Sequence, residues 1–223
     1  MKNNYNKLMK TFHFLLIPLL SIAFFSCSRA EPQILYGFIE LVYYPGTAGP
    51  VERYSFFIIP EDDDGLENLE ELLLYHDREG LRWSFSYNDW INHEEAGISW
   101  IGSRSIAMRD SAPLPRGVYR AVLINRGGES SERSFTFDVP EIPPHEFPAL
   151  VIEGGFFRTD STYPLNHLIG YDAHGNAVQT ITLREHEGYV RNLGFNMSVR
   201  SMALWAEDPV LRTSALTDAV SIR

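Results

Sequence analysis

The sequence is poor in cysteine and lysine, and both shortages restrict what the protein can be. Its single cysteine, Cys27, excludes a disulfide framework and any zinc site built from several cysteines. The formal net charge of the 223 residues is −10 at pH 7, which argues against a nucleic-acid-binding protein because such proteins present a basic face. The remaining composition, 44% hydrophobic and 22% charged, is that of an ordinary globular protein.

The N-terminal segment has the pattern of a secretory signal. All three lysines lie within the first ten residues, and an apolar run from Phe12 to Phe25 follows them. That run is shorter than the about 20 apolar residues that a membrane-spanning helix needs. Cys27 comes almost directly after it, behind Ser26. The segment therefore resembles the signal peptide of bacterial lipoproteins, with the relaxed lipobox that is familiar in spirochaetes.

This resemblance implies that residues 1–26 are removed and that Cys27 carries acyl chains, palmitate among them. Two or three chains anchor a protein firmly, because each buried CH₂ contributes about 0.8 kcal/mol. From Cys27 onwards, 16 arginines face 29 acidic residues, so the attachment must come from lipid rather than from charge. We expect residues 27–33 to tether the protein to the inner or outer membrane of a cell envelope. A plain signal peptide and an uncleaved anchor are the alternatives.

The chain beyond the tether has the composition of β-structure. Runs of aromatic and β-branched residues are separated by glycine- and proline-containing turns. Asn125-Arg126-Gly127-Gly128 between two such runs predicts a hairpin, since glycine accepts the positive φ of a tight turn. The predicted strands of the first half are residues 34–44, 52–59, 81–87, 98–101, 105–108, 117–124 and 134–139. Those of the second half are residues 149–152, 167–171, 177–183, 202–206 and 219–222.

A second resemblance starts from Pro115-Arg116-Gly117-Val118-Tyr119, which enters the first strand of that hairpin. It is similar to the last two strands of an immunoglobulin or fibronectin III-type sandwich, and it covers roughly residues 33–140. The resemblance implies a tyrosine corner at Tyr119 and places Trp83 at the buried tryptophan position. The predicted fold is all-β: an immunoglobulin/fibronectin III-like sandwich (34–140), a proline-rich linker (141–148) and a second small β module (149–223).

Two segments predict helices instead of strands. Leucines at positions 66, 69, 72 and 73 recur at helical spacing, which favours an amphipathic helix across the end of the sandwich. Residues 185–197 are compatible with one short helix.

The acidic run Glu61–Asp64 precedes the first of these predicted helices. Aligned with an EF-hand loop, Asp62, Asp64 and Glu71 stand at ligand positions, but Pro60 occupies the first position and has no side-chain ligand. The alternative is an acidic turn that favours a helix N-terminus. We prefer the second interpretation, an exposed acidic rim that steers basic partners.

The sequence contains no motif that identifies an enzyme. G-x-S-x-G and a phosphate-binding glycine loop are both missing, and His93 lacks the second histidine of the zinc-protease motif. His167 and His174 flank a predicted turn, where exposed histidines are much commoner than metal pairs. We therefore expect no catalytic residues, no cofactor and no metal.

Tryptophans supply the remaining candidate site. Trp90 and Trp100 stand among polar residues, where exposed rings could stack on sugars, whereas Trp83 and Trp205 are expected in the core. The leading hypothesis is a non-catalytic binding or structural module of the cell envelope, with an envelope protein or glycan as its partner and no nucleic acid. A carbohydrate-binding module is the alternative, and an enzyme of unknown type ranks third.

Overall fold

The computed structural model describes residues 30–140 and 146–222, and the helical elements within them are short 3-10 turns. The other regular elements of the described residues are β-strands. The strands are β1 (Gln33–Tyr44), β2 (Val51–Glu61), β3 (Leu69–His76), β4 (Leu81–Ser86), β5 (Ile91–Glu95), β6 (Ile98–Ile106), β7 (Gly117–Asn125), β8 (Ser130–Phe137), β9 (Ala149–Glu153), β10 (Phe156–Asp160), β11 (Leu165–Tyr171), β12 (Ala177–Thr182), β13 (Glu187–Tyr189), β14 (Ser201–Asp208), β15 (Thr213–Leu216) and β16 (Val220–Ser221).

The first eight strands form an immunoglobulin-like sandwich. One side has the order β1-β2-β6-β5 and the other the order β4-β3-β7-β8. All neighbours among these eight strands are antiparallel. Alternate residues of each strand enter the core, as Leu41 and Phe56 do from one sheet and Leu72 and Leu123 from the other. The protein is therefore all-β, as the composition predicts.

The start of β7 makes the tyrosine corner that the resemblance implies. The Tyr119 hydroxyl donates a 2.7 Å hydrogen bond to the carbonyl of Pro115, four residues upstream. Tyr54 of the opposite sheet donates to the same carbonyl at 3.1 Å, and its ring meets that of Tyr119 edge-on with 5.4 Å between centroids. The corner thus links the two sheets as well as the β7 entry loop.

Trp83 packs against the core, as predicted, but it is not fully buried. Trp83 lies on β4, at the edge of its sheet, where its side chain is half-buried and its indole N–H donates to the Ala107 carbonyl at 3.3 Å. Strand β3 is an inner strand, between β4 and β7, and its Leu72 and Leu74 are fully buried in the core.

The amphipathic helix predicted around residues 66–73 is wrong, because most of this segment is strand β3. A β-bulge between Leu69 and Glu71 shifts the register against β7, so Leu69 enters the core together with Leu72 and Leu74. This shift produces an i, i+3 spacing of leucines that imitates a helix. In the second half, residues 185–197 hold strand β13 and a single 3-10 turn at Val190–Asn192, not the expected helix.

The second half of the chain extends the first sheet of the sandwich. Strand β15 pairs in parallel with β1 through Leu41–Thr213, Val42–Ser214 and Tyr43–Ala215. Beyond β15 the sheet continues through β14, β11 and β12, and β16 also pairs with β14, which makes nine strands. Strands β9, β10 and β13 form a separate sheet, whose Leu150 and Phe157 share a buried cluster with Leu168 of the large sheet.

The predicted signal segment with Cys27, and residues 141–145 of the predicted linker, lie outside the described residues. Within residues 30–140 and 146–222 no helix is long and apolar enough to cross a bilayer.

Candidate ligand groove

The face of the nine-stranded sheet that points away from the sandwich core carries a groove of about 590 Å³. Strand β1 shows how the face arises: Ile39, Leu41 and Tyr43 enter the core, and the residues between them line the groove. The volume is within the range of about 300–1,000 Å³ that is typical of ligand pockets. We call it the outer groove and define it by Phe38, Glu40, Ser55, Trp100, Thr180 and Trp205.

The parallel pairing of β15 with β1 brings residues from both halves of the chain into the outer groove. Val42 stands beside Ser214, and Ser214 stands beside Glu207 of β14, so these three share one face of the sheet. Trp205, two residues before Glu207, lies on that face as well. Neither half builds the groove alone.

Aromatic rings form one wall of the outer groove. The rings of Phe38 and Phe57 are nearly parallel, with 6.0 Å between centroids and 28° between planes. Trp100 meets Phe38 at 63° and 5.5 Å, and Tyr36 meets Trp100 at 85° and 5.9 Å. The rings consequently make an angled corner rather than one flat platform.

Glu40 is the most unusual side chain of the outer groove. It is half-buried and lies opposite Ser55 in the β1–β2 register, yet its carboxylate accepts no hydrogen bond from another described residue. Burial raises the pKa of Glu40 above its ordinary value, the nearby Glu207 carboxylate raises it further, and Arg212 partly opposes both effects. A partly desolvated carboxylate that accepts no hydrogen bond from the described residues is a candidate for ligand binding.

Glu207, by contrast, has its partners within the protein. Its two oxygens contact His167 Nε2 at 3.2 Å and accept a hydrogen bond from the Trp205 indole N–H at 3.1 Å. The second nitrogen of His167 is 3.0 Å from the hydroxyl of Thr182. These contacts fix Trp205 beside the groove and occupy both oxygens of Glu207.

Charge in the outer groove is close to balanced, although the chain as a whole is acidic. Glu40 and Glu95 are its carboxylates, and Arg104 and a histidine are the basic side chains among its lining residues. The Arg104 guanidinium lies 5.7 Å from the centroid of the Phe57 ring, and the Arg53 guanidinium lies 4.8 Å from that of Tyr44. Two ring faces at the groove are thus already next to cations.

The structure separates the two tryptophans that the sequence offers for stacking. Trp100 lines the outer groove, but Trp90 is only 6% exposed and belongs to the buried cluster, so it presents no ring face to a ligand there. Trp205, which the sequence assigns to the core, is half-buried and lines the groove instead. The pair that shares the groove is Trp100 and Trp205.

The three calcium candidates do not converge. Asp62 receives hydrogen bonds from the Asp64 backbone N–H at 2.8 Å and from the Asn68 amide at 3.2 and 3.3 Å, which closes a local turn. Glu71 lies on β3 and accepts hydrogen bonds from Ser84 and Arg82 of β4 instead. Within the described part of the chain, no three potential metal ligands come together.

Comparisons with known proteins add little to this description. No protein-family model matches the chain, and no curated protein matches it. Among solved structures, it is similar to Tp47, the 47-kilodalton lipoprotein of Treponema pallidum (12% identity, TM-score 0.42, 86% of this chain and 51% of that one). It is also similar to dimeric latent PorU from Porphyromonas gingivalis (15% identity, TM-score 0.30, 86% of this chain and 20% of that one). A further similar structure is Dpr11 IG1 bound to DIP-gamma IG+IG2 (11% identity, TM-score 0.23, 86% of this chain and 98% of that one).

The chain spans about half the length of the Treponema pallidum protein. Because the TM-scores are all low, these likenesses carry no argument about function. The immunoglobulin-like description rests on the strand order and on the tyrosine corner.

Proposed function

We propose that the protein is a lipid-anchored, non-catalytic binding module of a bacterial cell envelope and that its ligand binds in the outer groove. The observation that carries the proposal is Glu40, a half-buried carboxylate that accepts no hydrogen bond from another described residue and lines a groove beside aromatic rings. Ring faces and hydrogen-bonding side chains are the chemistry of recognition. We therefore favour binding over catalysis.

The anchor part of the proposal comes from the lipobox-like segment at Cys27. Full-length protein should partition into the detergent phase and incorporate radiolabelled palmitate, because acyl chains bring a large apolar area. Cys27→Ala should lose both properties. If the variant partitions and labels like the wild type, the anchor is not a lipid on this cysteine.

The groove part is tested by photo-cross-linking in intact cells. A photoreactive amino acid at Thr180, on the exposed side of the outer groove, should form an adduct with an envelope component. The same probe at Val210, which is 89% exposed and outside the groove, is the position control. Glu40→Gln should strongly reduce the Thr180 adduct, since it removes the negative charge of the half-buried carboxylate in the groove. Equal adducts from both positions, or an adduct that Glu40→Gln leaves unchanged, would refute a specific binding site in the groove.

A further inference from the structure

We infer that the ligand of the outer groove is a neutral carbohydrate chain. The inference rests on the proposed binding function and adds the chemical class of the ligand. It follows from three properties of the groove: its rings, its polar groups and its charge.

The rings supply the apolar part of carbohydrate recognition. One face of a pyranose ring is lined with C–H groups. This face packs on an aromatic ring because the contact buries apolar area and places the C–H groups against the negative face of the ring. Phe38, Trp100 and Trp205 line the outer groove and are each partly exposed, so their rings remain within reach of a ligand. Phe57 packs nearly parallel to Phe38 but is only 5% exposed, so it offers a ligand little surface.

The polar side chains supply donors and acceptors next to those rings. Glu40 offers two acceptor oxygens, Arg104 offers donors only, and the hydroxyls of Ser55 and Thr180 offer both. A sugar hydroxyl donates one hydrogen bond and accepts others, so it fits a surface that offers both donors and acceptors. A purely apolar ligand would leave the half-buried Glu40 carboxylate without a hydrogen-bond donor, which costs free energy.

Charge favours a neutral ligand over a basic peptide or an anionic glycan. The chain carries a formal net charge of −10, but the outer groove mixes Glu40 and Glu95 with Arg104. Arg53 and Arg104 already lie over the rings of Tyr44 and Phe57, so an incoming lysine or arginine would meet cations there. An anionic glycan would meet the Glu40 carboxylate.

The arrangement of the rings points to a single chain rather than a flat polysaccharide surface. Trp100 stands at 63° to Phe38, so these two rings of the groove cannot lie in one plane. A corner of this kind encloses a flexible chain from two sides. We expect soluble oligosaccharides to bind at least as well as an insoluble, ordered polysaccharide.

The test titrates full-length protein in detergent micelles by calorimetry. The probes are three neutral hexasaccharides: β-1,4-linked glucose, β-1,4-linked N-acetylglucosamine and α-1,4-linked glucose. We expect at least one to bind, and we expect Glu40→Gln to weaken it about tenfold or more, since hydrogen bonds to charged groups are the strong ones. Trp100→Ala should weaken it by a similar factor.

Matched variants outside the groove control for general effects. Glu153→Gln changes an exposed carboxylate on β9, and Tyr189→Ala removes an exposed ring on β13. Neither should change the affinity. Because Trp100→Ala also removes packing against Phe38, Glu40→Gln is the deciding variant, and its melting temperature is measured alongside.

The outcomes of these titrations distinguish a wrong ligand class from a wrong binding function. Failure of all three hexasaccharides to bind overturns the carbohydrate inference, and so does binding that Glu40→Gln leaves unchanged. If an oligolysine peptide binds instead and Glu40→Gln weakens it, the ligand class is wrong but the binding function stands. The proposed binding function is tested independently: it is wrong if no groove-specific cross-link forms in cells.

Discussion

Removal of Glu52 should destabilise the sandwich more than any other single charge removal that we consider. Glu52 is 6% exposed at the start of β2, and its two oxygens accept hydrogen bonds from Arg116 Nη1 at 2.8 Å and Nη2 at 2.7 Å. The same carboxylate accepts the Leu114 backbone N–H at 2.8 Å. Arg116 also donates from Nε to the Val139 carbonyl at 2.7 Å, so the pair links β2, the β7 entry loop and the segment after β8.

The magnitude follows from what Glu52→Ala leaves behind. The Arg116 side chain is 17% exposed, so it keeps its charge with little access to water and no carboxylate beside it. Removal of one partner of a buried ion pair costs about 3–5 kcal/mol, a large share of the about 5–15 kcal/mol that holds a typical domain together. Replacement of both partners, as in Glu52→Leu with Arg116→Met, should cost much less because no unpaired charge remains.

The assay is equilibrium unfolding in urea, followed by tryptophan fluorescence. The control is Asp77→Ala, because Asp77 pairs with Arg120 at 2.9 Å on the surface, where water screens the pair and its loss should hardly change stability. The reasoning is refuted if Glu52→Ala is no less stable than Asp77→Ala. It is also refuted if the double replacement is as unstable as Glu52→Ala alone.

Three further predictions concern the tyrosine corner, the ionisation of its two tyrosines and the Glu40 carboxylate. Tyr119→Phe removes the hydrogen bond to the Pro115 carbonyl, which still accepts one from Tyr54. The free energy of unfolding, measured in urea, should therefore fall by about 1 kcal/mol. A variant as stable as the wild type would show that the tyrosine corner does not stabilise the fold. Burial raises the pKa of Tyr54 to about 12 and also raises the pKa of Tyr119, whereas in the unfolded chain both hydroxyls titrate at about pH 10. As pH rises, the unfolded state therefore releases these protons before the folded state does, so the free energy of unfolding should fall above about pH 10. The prediction is contradicted if tyrosinate absorbance shows that all tyrosines ionise before circular dichroism shows any unfolding. The pKa of Glu40 is raised in the folded state, so the stability that this group contributes is present below its unfolded pKa and is lost as pH rises through its folded pKa. Glu40→Gln should therefore raise the melting temperature at about pH 7 and change it little at about pH 3, and a lower melting temperature at neutral pH would be the opposite result.

Local signals in the sequence predict part of this fold and fail at one instructive place. The β7–β8 hairpin follows from its turn, where Gly128 has the positive φ of 84° that glycine accepts easily. The tyrosine corner is equally local, since Tyr119 bonds four residues back. Strand β3 was not predictable in this way, because its bulge gives leucines a helical spacing and only pairing with β7 reveals the strand.

The outer groove could not be predicted from local signals, because its residues are up to 167 positions apart, from Phe38 to Trp205. They meet only through the parallel pairing of β15 with β1, which no turn or periodicity encodes. One signal was available. Glu40 is the single charged residue within the otherwise apolar and aromatic run Ile34–Tyr44, and a carboxylate at such a position is costly to the fold and therefore indicates a possible functional role.

The most direct test of the outer groove as a ligand site uses the four tryptophans of the chain. Trp100 and Trp205 line the groove, whereas Trp83 and Trp90 lie elsewhere. Full-length protein with ¹⁵N-labelled tryptophan gives one indole N–H signal for each, assigned by single Trp→Phe variants, and the neutral hexasaccharides are added to it. The account predicts that the signals of Trp100 and Trp205 shift in a saturable way while those of Trp83 and Trp90 stay in place. Movement of Trp83 and Trp90 alone, or no movement with any of the three sugars, would contradict a carbohydrate site in the outer groove.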